Sequence, residues 1–396
     1  MKPAESPKLL LFIFAYWHDA RFKNKVGGPV KVYEMASNLT ALGHDVHLFI
    51  SKIGYPEKQT TAHVEAIPFI DLPLIRFPSF QLFLIFYFFV NLIRHGRPDI
   101  LYVRIMWSFI PMLLGKLFSI PVILEINDSP HMAHEAIHHQ LKRKLVQWID
   151  AISMHFSDHI LPVTERISHD LHHIDGISWD RMTVLPSGAN TDLFHPMDKV
   201  TCRDRVGLLH TKKCVGFVGT LFRHQGIDVL IDSAPYILEH TTDVCFLIVG
   251  DGPMQTVWQE RVTQEGLESH FIFTGQVPYE DVPIYSNTMD ICVAPFLQEA
   301  GNRSPVKVFD YLACAKPVIM GDVADTSLVF KTSGAVLTVP IENPQALAEA
   351  IVQLLQNDVL RSEMGKSGRE FVLSHFSRLK IAQTVERIMI NLARVY

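Results

Sequence analysis

Lys307 and Asp310 stand three residues apart behind Ser304 and Pro305, a spacing that places a cation and a carboxylate on one face of a short helix. Ser304 is a residue type whose oxygen accepts an orphan N–H at a helix start, and Pro305 carries a helical φ with no N–H to lose. Tyr311 and Cys314 continue that face, while Phe309 and Leu312 turn into packing. The helix lies between two apolar runs, 290–296 and 317–320, which read as buried parallel strands. A helix that begins beyond the carboxyl end of such a strand offers free N–H groups and the positive end of its dipole, which is how α/β proteins hold phosphorylated ligands.

A second pattern competes for attention. His134, Glu135 and His138 form HExxH, which on a helix sets two imidazoles on one face for zinc with the glutamate as base. His131, His139, His155 and His159 crowd the same region, so chance alone produces the match readily. No downstream His-x-x-Gly-x-x-His follows, and Glu165 is the only obvious third ligand. A zinc site on these residues is therefore not expected.

These residues need a scaffold, and the chain of 396 residues is long enough for two domains, each with its own core. A net charge of −5 gives no electrostatic case for nucleic acid as a partner. Five cysteines, an odd number without a CxxC pair, point to buried thiols in a reducing compartment. The first residues lack a signal-peptide cleavage pattern, so a cytoplasmic enzyme is expected.

Residues 9–15 read as an apolar strand, Gly27 and Gly28 as a turn into a helix that Gly43 stops, and 45–50 as the next strand: the first step of a Rossmann-like sheet. Residues 98–104 and 120–128 read as two more strands, the second ending in the polar Asn127 and Asp128 as a strand entering a site would. Helical pattern then runs to about residue 173. The stretch 80–93 is rich in Phe and Leu and ends in Arg94, His95 and Arg97, yet it is too short and interrupted for a membrane span. It is either a core helix or one lying in a membrane interface, which makes 80–97 a peripheral membrane contact. A break in pattern over 192–209 marks the domain boundary, dividing the chain into 1–195 with 377–396 and 196–376. Strands at 214–218, 244–249 and 271–275 and a helix at 227–238 repeat the alternation. The last helix, from about Ser377, has Ile381, Val385, Ile388 and Leu392 on one face and needs a surface to cover.

Taken in order, these motifs resemble the family-four glycosyltransferases, retaining enzymes of the GT-B fold. The match runs through the Gly27-Gly28 loop, residues 185–194, Phe217-Val218-Gly219, Gly250-Asp251-Gly252-Pro253, Phe273-Thr274-Gly275 and the Ser304 helix. The resemblance implies two Rossmann-like domains facing across a cleft, with the final helix crossing back to the first. It implies a UDP- or GDP-sugar donor held mainly by the second domain and a glycan or lipid-linked acceptor held mainly by the first, in envelope or exopolysaccharide synthesis, with no metal.

The residues carry this over unevenly. Where many relatives have two carboxylates seven residues apart, Asp310 fits the second and Asn302 holds the first position. The usual arginine and lysine of the diphosphate site are Thr220 and Gln225 here. A branch with a Ser-Pro-x-Lys helix start matches Ser304, Pro305 and Lys307, so Lys307 with Arg223 or Arg303 is expected to stabilise the leaving diphosphate, helped by N–H groups from Ser304 to Lys307. Gly27, Gly28, Gly219, Thr220, Asn302, Arg303, Ser304, Pro305 and Val306 are expected to line the donor, with Asp310 accepting from the ribose hydroxyls. Asn127, where many relatives have histidine, would orient donor or acceptor hydroxyls. The alternatives are an epimerase or a non-catalytic sugar-binding relative of the same fold, or a zinc protein built on His134 and His138.

Overall fold

The computed structural model describes residues 7–16, 27–52, 60–72, 75–104, 108–131, 139–300, 304–323 and 327–396. The chain forms two compact units, Met1–Pro186 with Arg378–Tyr396, and Ser187–Ser377.

The first unit is a six-stranded parallel sheet in the order β3-β2-β1-β4-β5-β6. Its strands are β1 (Leu10–Ala15), β2 (Asp45–Ser51), β3 (His63–Ile67), β4 (Ile100–Arg104), β5 (Val122–Ile126) and β6 (His159–Pro162). Near-continuous apolar runs make the central strands buried on both faces, as a sheet covered by helices on each side requires. The helices are α1 (Gly27–Ala41), α2 (Arg76–His95), α3 (Ile110–Phe118), α4 (Gln140–Phe156) and α5 (Glu165–His173). Right-handed crossovers put α1, which leads from β1 to β2, on one face and α2, α3 and α4, which progress from β3 to β6, on the other.

The second unit repeats the plan with the order β12-β11-β10-β7-β8-β9, the same winding read from the opposite edge. Its strands are β7 (Lys213–Val218), β8 (Val244–Val249), β9 (Phe271–Gly275), β10 (Ile291–Ala294), β11 (Val318–Gly321) and β12 (Val336–Val339). The helices are α6 (Lys199–Val206), α7 (Ile227–Leu238), α8 (Gln255–Gln264), α9 (Val282–Thr288), α10 (Val306–Ala313), α11 (Pro344–Leu355) and α12 (Asp358–Phe371). In both sheets the strand order reverses beside the first strand, between β1 and β4 and between β7 and β10. Doubly wound proteins bind ligands at that switch point.

Several expectations need correction. The unit boundary falls at Pro186, not at 195, because residues 187–195 pack with the second unit. Ala189 N–H donates to the Phe376 carbonyl at 2.8 Å, Phe194 is fully buried in that core, and Arg369 donates to the Phe194 carbonyl at 2.8 Å. The helical run to residue 173 is broken by β6, which pairs with β5. Asp158 ends the preceding turn by accepting from the Val122 N–H and from Lys116, each at 2.8 Å. Gly27 and Gly28 open α1 itself and form no separate turn. The apolar stretch is longer than 80–93: α2 has 20 residues and by length and composition alone is long enough to cross a membrane.

The last helix, α13 (Arg378–Val395), belongs to the first unit and packs on α1. Arg378 lies 3.2 Å from Glu34, and His44 lies 3.3 Å from Glu386. Its buried stripe is Ile381, Ala382, Val385 and Met389, with Ile388 and Leu392 left half-buried at its edge. All five cysteines are buried and free, and burial pushes the Cys314 thiol up to about 12.

Candidate functional site

At the switch point of the second unit, β7 ends in Val218 and the chain turns through Gly219 at φ +149°, a conformation that favours glycine. A Cβ at Gly219 would lie 2.6 Å from Lys307 Nζ, so the absent side chain is the space in which the lysine head rests. Gly250, at the end of β8, has φ +133°, and a Cβ there would stand 2.0 Å from the Gly219 carbonyl oxygen. The two strand-end loops therefore meet backbone to backbone, tied by the Gly219 N–H to the Val249 carbonyl at 2.9 Å.

Helix α10 brings Lys307 to this wall. The ammonium sits 3.6 Å from the centre of the Phe217 ring and donates to Gln225 Oε1. Among the described residues no carboxylate pairs with it, and burial pushes its pKa well below the usual lysine range. Gln225 occupies the position where the resemblance led one to look for a cation. Here an amide oxygen at that position holds the cation supplied by α10.

One turn beyond Lys307, the Tyr311 hydroxyl accepts the Val218 N–H at 2.6 Å, fixing the end of β7 against α10. Tyr311→Phe strands that N–H and is expected to cost about 1–2 kcal/mol, read as a shift in the urea midpoint at constant slope. Ser304 does not cap its own helix. Its hydroxyl accepts from the Ser187 N–H at 3.2 Å, and Pro305 stands at the cap position with no side-chain bond. The Val306 N–H is taken by the Ser304 carbonyl at 2.9 Å, so it is less open to a ligand than expected.

Asp310 is half-buried on α10, one turn from Lys307. Thr220 and Arg223 are exposed on the loop after β7, and no described ion pair reaches Arg223. Asn302, Arg303 and the residues His134, Glu135 and His138 lie outside the described residues.

The first unit holds a second polar cluster at its strand ends. Lys31 Nζ on α1 lies 2.8 Å from Glu125 on β5 and donates to Asn127 Oδ1 at 3.2 Å. The Tyr102 hydroxyl donates to Glu125 as well. Burial would raise the Glu125 carboxyl, but the charges of Lys31 and Arg104 and the hydrogen bonds from Lys31 and Tyr102 together hold it at about 2. Burial lowers Lys31 to about 8 against the pull of Glu125. A lysine only donates, so the Asn127 oxygen must face it and the amide nitrogen must point away. That nitrogen is buried and has no hydrogen-bond partner among the described residues. Asn127 thus presents a directed donor, and Lys31 fixes its direction.

Two doubly wound parallel units with a final helix returned to the first define the glycosyltransferase fold GT-B. Solved structures share it: sucrose-phosphate synthase from Thermosynechococcus elongatus aligns with a TM-score of 0.76 at 17% identity, over 98% of this chain and 100% of that one. HepE of Anabaena, solved in complex with UDP, aligns with a TM-score of 0.75 at 14% identity, over 96% and 99%. The chain belongs to the group 1, family 4 glycosyltransferases. Residues 27–193 match Glycosyltransferase Family 4, and residues 212–357 match Glycosyl transferases group 1. Among curated relatives, a phosphatidyl-myo-inositol mannosyltransferase of Mycobacterium leprae is 31% identical over 189 residues, which is 48% of each chain.

Proposed function

We propose that this glycosyltransferase moves a sugar from a UDP- or GDP-sugar to a glycan or lipid-linked acceptor, with retention of configuration and without a metal, in envelope or exopolysaccharide synthesis on the cytoplasmic side. The observation that carries the reading is the half-buried Lys307 ammonium, seated against Gly219 and Phe217 with an amide oxygen but no described carboxylate beside it. A cation drawn partly out of water without a counter-charge favours an anion that completes it, and a diphosphate is the anion that switch points accept.

Lys307 then neutralises charge that grows on the leaving diphosphate, the exposed Arg223 near Gln225 adds a second positive charge, and Asp310 accepts from the ribose hydroxyls. Asn127, aimed by Lys31, donates to a sugar hydroxyl. The donor reading is supported by the UDP bound to HepE, and the lipid-linked acceptor by the name of the mycobacterial relative, of which the alignment spans about half.

The test is release of nucleoside diphosphate from a panel of nucleotide sugars with EDTA present, followed by NMR of the anomeric proton of the product. Turnover that survives EDTA and keeps the donor configuration is expected. Tight nucleotide-sugar binding with no turnover under any acceptor would contradict transfer, and an inverted product would contradict retention.

A further inference from the structure

The outward face of the first unit is apolar where water should favour polar side chains. On α2, Phe80, Leu84 and Phe88 are fully buried, with the Phe88 ring 6.0 Å from that of Phe12 on β1. Yet the opposite side of the same helix is no more polar: Leu82, Phe86 and Ile93 are 61–84% exposed. Helix α3 adds exposed Leu113 and Leu117, and α4 adds Leu141, Leu145 and Trp148. The three helices lie side by side. Phe89 on α2 packs 5.7 Å from Phe118 on α3, and Phe109, just before α3, packs 5.6 Å from Trp148 on α4. Exposed apolar area of this extent on a folded unit marks an interaction surface.

Charge says what covers it. The chain carries 36 Lys and Arg against 41 Asp and Glu. The three helices reverse that balance: Arg76, Arg94, Lys116, Lys142, Arg143 and Lys144 face a single carboxylate, Asp150, which is buried. Arg76 and Lys116 are paired with Asp71 and Asp158. No described ion pair takes Arg94, Lys142, Arg143 or Lys144. A twofold contact between two copies of this face would set these cations against themselves. Nor can α2 leave to span a bilayer, since Phe80, Leu84 and Phe88 would be withdrawn from the core.

We infer that α2, α3 and α4 together form a seat for the anionic surface of a lipid bilayer, with Leu82, Phe86, Ile93, Leu117 and Trp148 entering the headgroup boundary and the free lysines and arginines meeting lipid phosphates. The contact deepens the proposed function, because a seated enzyme meets lipid-linked acceptors at the surface where they lie, and it rests on that reading for the acceptor alone. The surface is assembled from segments far apart in sequence: the apolar stretch at 80–97 and the basic run Lys142, Arg143 and Lys144 are legible there, and the contribution of α3 is not.

Flotation of the full chain with phosphatidylcholine vesicles, with and without phosphatidylglycerol, tests it. Binding is expected to the anionic vesicles and to weaken with salt. Replacing Lys142, Arg143 and Lys144 together by glutamine should weaken it by about fivefold per charge, or roughly 100-fold in all. The triple variant Leu82→Ser, Phe86→Ser, Ile93→Ser should lose it while keeping the wild-type melting temperature, because none of the three side chains lies in the core. Equal binding to neutral and anionic vesicles, no binding to either, or a dimer abolished by the same serine substitutions would overturn the inference. Nucleotide-induced stabilisation is read on the same variants. If it persists while vesicle binding is absent from the wild type, the membrane seat fails and the transferase reading stands.

Discussion

Lys307→Ala is expected to lower kcat/KM for sugar transfer roughly 100- to 1000-fold, the scale on which one preorganised donor to a developing anion is lost. The ammonium is held before substrate arrives, by Gln225 Oε1, the Phe217 ring and the bare Gly219 backbone, so no reorganisation is needed as charge builds on the diphosphate. Lys307→Arg should rescue poorly, because a planar guanidinium is wider than the slot that Gly219 leaves. Steady-state kinetics with saturating acceptor check this. A variant with unchanged kcat/KM would remove Lys307 from the reaction.

Lys31→Met is expected to destabilise the first unit by about 3–5 kcal/mol, because it leaves the Glu125 carboxylate buried without its main partner. Adding Glu125→Gln should restore much of that loss, since the stranded charge is then gone. Equilibrium urea unfolding of the two single variants and the double variant gives the coupling directly. Additive losses would show that the pair is not coupled.

The same cluster sets a pH dependence. Glu125 ionises at about 2 in the folded chain against 4.5 for a solvated glutamate, so its contribution is present above pH 4.5 and is lost as pH falls from 4.5 towards 2. The shift corresponds to about 3 kcal/mol. On the alkaline side, Lys31 loses its proton at about 8, which weakens its hold on Asn127. Activity should therefore decline above that pH, and the Asn127→Ala variant should not show that limb.

Much of this scaffold is legible in the sequence because its central strands are buried on both faces, and a run such as Val244 to Val249 has no other home. β3 and β6 escape that reading. β3 is an edge strand with mixed polarity, and β6 has only four residues between two helices. The helix stripe of α13 is read slightly off its true direction: Ala382 and Met389 are buried, while Ile388 and Leu392 lie half-buried at its edge.

The site divides in the same way. Lys307 is visible from its own helix start, whereas its partner Gln225 and the anchor made by Tyr311 to Val218 come from residues 82 and 93 positions away. Ser304 illustrates the converse: its type predicts a cap, but the Ser187 N–H competes for its hydroxyl and wins. Of the Lys31 cluster the sequence shows Asn127 at the end of a strand, while Lys31 is one polar residue on a helix with no mark of its own. Nothing local links that lysine to Glu125 and Asn127 nearly a hundred residues later, because only the sheet order brings them together.

The most direct test of the central claim is the melting temperature of the purified chain and its Lys307→Ala variant in EDTA, with UDP, GDP and other nucleoside diphosphates added. Ligand at about 100 times its Kd stabilises the state it binds by about 2.7 kcal/mol. The account predicts that one nucleoside diphosphate raises the wild-type melting temperature by several degrees and the Lys307→Ala variant by far less. Equal stabilisation of both proteins, or none of the wild type by any nucleotide, would contradict it.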